Sequence, residues 1–64
     1  MKQTTIERIK EAAYVNSSIV IGKYTYKANL NTGDVLRCKT DDIGREWIDS
    51  EGRRFSAWEV VGHL

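Results

Sequence analysis

The sequence predicts a mainly β fold with one N-terminal helix, an α+β chain whose strands form a small five-stranded barrel or a bent antiparallel sheet. Three observations predict it. Apolar residues recur at helical spacing only as far as Asn16. Beyond Asn16, β-branched and aromatic residues alternate with charged ones, the period of a half-buried strand. Glycine-, Asn- and Asp-bearing turns cut this second part at short intervals, and the chain has no proline to interrupt strand pairing.

The helix is expected over residues 4–15. Thr4 followed by Glu7 has the capping-box order, in which each side chain satisfies a backbone N–H of the other's residue. Ile6, Ile9 and Ala13 then form one stripe, with Ala12 beside it and Arg8 and Glu11 on the polar side. Asn16 and two serines end the helix. About ten residues of helix are marginal alone in water, so the stripe must dock on the remainder.

The strands are expected over residues 18–64. The first is long, with Val20, Tyr24, Tyr26, Ala28 and Leu30 on one face and Gly22 as a bulge or bend. A turn at Asn31-Thr32-Gly33-Asp34 leads to a second strand over 35–40, with Leu36 and Cys38 on one face and Arg37 and Lys39 on the other. Asp41-Asp42-Ile43-Gly44 breaks it. A third strand over 45–49 and a fourth from Arg53 are joined by the tight turn Asp49-Ser50-Glu51-Gly52. Ser56-Ala57 interrupts the fourth, and 59–64 forms a short fifth. A meander of this length needs a covered face, which curling and the docked helix provide. The expected core is Ile6, Ile9, Ala13, Val20, Tyr26, Leu36, Ile48, Phe55, Trp58 and Val60. Repeats and linkers are absent, so residues 1–64 read as one domain.

Composition narrows the function classes. A chain of 64 residues, 41% hydrophobic and 30% charged, buries a thin core. A net charge of +1 is neither that of a strongly basic nucleic-acid coat nor that of an acidic mimic. No apolar run approaches the roughly 18 residues of a membrane span, and Met1-Lys2-Gln3 opens a polar stretch unlike a secretory leader. One cysteine excludes an internal disulfide and a cysteine-based zinc site, and suits a reducing cytoplasm. Asn16-Ser17-Ser18 matches a glycosylation acceptor by chance, since no secretory segment precedes it. No catalytic residue is expected. The one histidine, His63, is second from the end, and no spacing pairs it with Cys38 or a serine. Asp41, Asp42, Asp49 and Glu51 sit where turns favour carboxylates, without the spacing of a calcium loop. Neither cofactor nor metal is implied.

Two sets of side chains remain as candidate sites. Tyr24, Tyr26, Trp47, Phe55 and Trp58 are more aromatic surface than so small a core encloses, and the excess makes a partner-binding patch. Trp47 is the better exposed anchor, because Ile48 points to the opposite face; Trp58 belongs beside Val60. Tyr24, Arg45, Glu46 and Arg54 complete the expected partner-binding set. The rival set is basic: Lys23, Lys27, Arg37 and Lys39 on the outward faces of one hairpin, extended by Arg53, would hold a nucleic acid. Its plain counterpart is a solvated sheet face on which lysines discourage aggregation.

Residues 32–60, TGDVLRCKTDDIGREWIDSEGRRFSAWEV, resemble a Src-homology-3 barrel. Gly33-Asp34-Val35-Leu36, Asp41-Asp42, Trp47, Gly52, the turn Phe55-Ser56-Ala57-Trp58 and Val60 occur in that family's order. The resemblance implies barrel topology and, through an aromatic groove, binding of proline-rich peptides. The proline of that groove has no counterpart here. The expected function is a small non-enzymatic protein-binding module, an adaptor or inhibitor of the kind phages and mobile elements often encode. The alternative is a nucleic-acid-binding barrel. No membrane partner is expected, and self-association through the first strand or the final 60–64 strand remains open.

Overall fold

The computed structural model describes residues 2–64; Met1, where the leader reading begins, lies outside them. One helix, α1 (Gln3–Tyr14), precedes six strands: β1 (Ile19–Ile21), β2 (Tyr24–Ala28), β3 (Asp34–Lys39), β4 (Glu46–Ile48), β5 (Arg54–Ser56) and β6 (Glu59–His63). A short 3-10 turn, Thr40–Asp42, separates β3 from β4. Every pairing is antiparallel. Four strands form an open sheet in the order β1-β2-β3-β6, and β4 and β5 form a ribbon of their own. The structure is thus the bent-sheet form of the expected fold rather than a closed barrel: β1 and β6 are outer edges.

The helix begins two residues before the expected capping box. Its N-cap is Lys2, without a side-chain cap, and Thr4 lies inside the first turn. Its other end is well determined. Asn16 adopts the left-handed conformation (φ 54°), the Ser17 amide donates to the Ala12 carbonyl at 2.8 Å, and the Asn16 amide donates to Ala13 at 3.1 Å. This pair of bonds is the Schellman arrangement, which satisfies carbonyls the helix leaves free. Ile9 and Ala13 are buried as α1 lies across β2 and β1.

The expected long first strand is instead a hairpin, which raises the strand count from five to six. Ile21 pairs with Tyr24, so Gly22 and Lys23 alone make the turn. Gly22 has φ 61°, which suits the first central residue of a type II′ turn. The reversal sends Val20 to the face opposite Tyr24 and Tyr26, because directly opposed residues share a face and Val20 opposes Thr25.

The core is smaller than expected and centred differently. Ile9, Ala13, Val35, Cys38 and Thr25 are buried. Val35 and Cys38, three apart on one strand, face opposite sides, so β3 is covered on both. Strict alternation predicted only one inward face and missed Val35 and Thr25. The Thr25 hydroxyl is satisfied by that of Thr40, 2.9 Å away. Ile6, Tyr26, Leu36 and Trp58 are half-buried. Val20 and Val60 are exposed because they sit on the two outer strands, at the margins of the sheet. Ile48 and Phe55 are exposed because their ribbon makes its main contacts within itself.

Candidate partner-docking site

The ribbon is built by its turn. The Asp49 carboxylate accepts the backbone N–H groups of Glu51 and Arg53, each at 2.9 Å, and pairs with the Arg53 Nε at 3.0 Å. The Arg53 backbone N–H, ahead of the other donors, holds this carboxyl below its ordinary pKa against a smaller opposing effect of burial. Gly52 supplies the required positive φ of 82°. With the turn fixed, the register follows: Glu46 opposes Ser56, Trp47 opposes Phe55, and Ile48 opposes Arg54.

That register stacks Trp47 on Phe55, with ring centroids 6.0 Å apart and planes 18° from parallel. Both rings remain open to solvent, Trp47 at 51% and Phe55 at 41% exposure. On the same ribbon Ile48 is 63% exposed. At its base the ribbon gains one more rung and is led in by a local turn. The Ala57 amide donates to Arg45, the Arg45 amide donates to Asp42, and Arg45 Nη1 lies 3.2 Å from the Asp42 carboxylate.

All five residues expected at a partner-binding site line two open crevices that share Trp47. One, of about 340 Å³, brings Tyr24, Arg45 and Trp47 together beside Lys39, Asp42 and Glu59. The other, of about 250 Å³, is formed by Glu46, Trp47, Ile48 and Arg54. Two further concavities are larger, about 440 Å³ near the end of α1 and about 470 Å³ beside Val20 and Lys39, but neither has an aromatic wall. Aromatic surface is what anchors a partner, so the smaller crevices are the better candidates. Phe55, expected in the core, is the site residue that sequence reasoning missed. The signal was present, because Trp47 and Phe55 stand two residues outside Asp49 and Arg53, the residues that close the turn.

The basic set does not assemble into one stripe. Lys27 opposes Leu36 whereas Arg37 opposes Tyr26, which puts the two cations on opposite faces of the sheet. The Lys27 ammonium sits 4.1 Å over the Trp58 ring. Arg37 is 4.5 Å over the Tyr24 ring and donates to Glu59 at 2.6 Å, a bond that raises its already high pKa. Lys39 shares the Arg37 face, Lys23 lies in the β1–β2 turn, and Arg53 is held by Asp49 and Glu51.

The histidine and the cysteine are apart. His63 lies 3.3 Å from Asp34, and Cys38 is four residues further along β3, roughly 13 Å at the rise of a strand. Burial, more than the nearby Asp42, pushes the Cys38 thiol above its ordinary pKa, away from nucleophilic character. Among the described residues, no three His, Cys, Asp or Glu side chains come together as metal ligands. No helix there is long and apolar enough to cross a membrane.

Fold and site together define a helix-bearing, mainly β chain with an exposed aromatic ribbon. Against protein-family models, curated proteins and solved structures, the chain has no significant match.

Proposed function

We propose that this chain is a non-enzymatic docking module, an adaptor or inhibitor that binds another protein through the β4–β5 ribbon. The observation that carries the reading is the stacked Trp47–Phe55 pair, left about half open to solvent on the two-stranded ribbon. An isolated two-stranded ribbon is marginally stable in water, and three of its apolar side chains lose water contact only if a partner covers them. Trp47 and Phe55 are the anchors. Arg45, Glu46, Arg54 and Tyr24 form the rim that sets orientation. A reducing, cytoplasmic setting belongs to the same reading and rests on the single buried thiol. So does the Src-homology-3-like relationship, supported by the order of β3, the β4–β5 ribbon and β6.

The test is capture from the source cell's lysate with tagged protein, with and without nuclease, at low and high salt. A discrete protein partner retained under all four conditions, and bound about thirtyfold more weakly by folded Trp47→Ala, is the expected result. Retention by folded Trp47→Ala removes Trp47 as the anchor. Capture that nuclease and salt abolish overturns the protein-docking reading in favour of a nucleic-acid partner.

A further inference from the structure

The four-stranded sheet ends in two edges of different chemistry. On β6, Gly62 opposes Val35 and Val60 opposes Leu36, so Val61 is an extra residue that bulges the strand. The same strand carries Glu59 and His63. Bulges, charges and very short strands are the devices by which edges limit further pairing, and β1, three residues long, has only the last of these. On β1 the three residues are Ile19, Val20 and Ile21, with no charge, proline or bulge among them.

Hairpin geometry determines which backbone groups this edge offers. In a two-residue hairpin the residues flanking the turn exchange both hydrogen bonds, and such pairs alternate along the ladder. Ile21 with Tyr24, and Ile19 with Tyr26, therefore use their backbone groups inward. The N–H and C=O of Val20 point away from β2, and among the described residues neither has a hydrogen-bond partner. The Val20 side chain is 61% exposed.

We propose that β1 pairs antiparallel with β1 of a second copy of this chain, about a two-fold axis at Val20. Each Val20 exchanges two hydrogen bonds with its equivalent, and Ile19 falls opposite Ile21 of the second copy. Such β-branched pairs on one face are favourable in antiparallel sheets. The chain turns at Gly22-Lys23, so the paired residues Ile19–Ile21 bring no charges into register. The result is a continuous eight-stranded sheet with isologous contact. So short an interface buries much less than the roughly 1,200–2,000 Å² of a stable complex, which makes the dimer weak and concentration-dependent. This contact does not involve the Trp47–Phe55 site.

The test is sedimentation velocity on the full chain over about a hundredfold concentration range, with amide hydrogen exchange read by NMR on the same samples. The sedimentation coefficient is expected to rise with concentration. Exchange at the Val20 amide is expected to slow several-fold while Ile19 and Ile21, already bonded inward, change little. Val20→Pro removes an N–H that has no partner within the chain, at an edge position where proline is tolerated. This variant is expected to fold and stay monomeric. Should it not fold, Val20→Lys sets two lysines opposite each other and is expected to give the same monomer. A chain that stays monomeric at every concentration overturns the proposal, as does a dimer that folded Val20→Pro or Val20→Lys leaves intact.

Discussion

The body of the molecule and its β4–β5 ribbon are made of similar side chains arranged to opposite ends. In the body, Ile9, Val35 and Cys38 are withdrawn from water because β3 is covered on both faces and α1 lies across β1 and β2. In the ribbon, Trp47, Ile48 and Phe55 remain exposed, and order comes instead from a polar turn organised by one carboxylate. Stability therefore resides in the body; apolar side chains are exposed on both, Tyr14, Val15, Val20 and Val60 among those of the body, and what sets the ribbon apart is its stacked aromatic pair.

The comparison is most directly broken by substituting an isoleucine on each side. Ile9→Ala is expected to cost about 2–5 kcal/mol, since it empties a fully buried position. Ile48→Ala is expected to stay within about 0.5 kcal/mol, because its side chain is largely hydrated already. Urea midpoints of the two variants check both. Equal losses would mean that the ribbon shares in the core. A smaller effect is expected at the helix end. Asn16 holds a left-handed backbone that alanine adopts at a cost of about 1–2 kcal/mol, so Asn16→Ala lowers the thermal midpoint and Asn16→Gly does not.

Much of this division was legible in the sequence, and the misreadings have identifiable causes. The helix, the turns at Gly33 and Gly52 and the exposure of Trp47 follow from spacing and turn chemistry. Gly22 was legible as an irregularity but not as a reversal, because Val20, Tyr24 and Tyr26 keep a period of two across the turn and so imitate one continuous strand. The true register sends Val20 to the other face. Val35 escaped because alternation assumes a single covered face, and a central strand covered on both sides breaks that assumption. Hydrophobicity and alternation place Phe55 and Ile48 in the core, but neither reveals how much of a ribbon the sheet covers. The basic stripe failed for a related reason. Pairing Lys27 with Leu36 instead of with a cation depends on a register that neither residue reveals.

The smallest expected effect is local and concerns acid. The Asp49 carboxyl has a folded pKa lowered by the Arg53 and Glu51 amides and the Arg53 guanidinium. A depressed folded pKa means that its stabilisation of the turn is complete above the ordinary carboxyl pKa of about 3.9 and fades as pH falls below it. Lowering the pH is thus expected to open the ribbon before the body. Amides in the Trp47–Phe55 ladder should lose exchange protection while those of β3 keep theirs. Asp49→Asn should produce the same loosening at neutral pH and remove the ribbon's pH dependence below 4, because its amide oxygen accepts more weakly and no longer pairs with Arg53. Simultaneous loss of protection in ribbon and body would show one cooperative unit, and the separation between a stabilising sheet and an independent docking ribbon would fall with it.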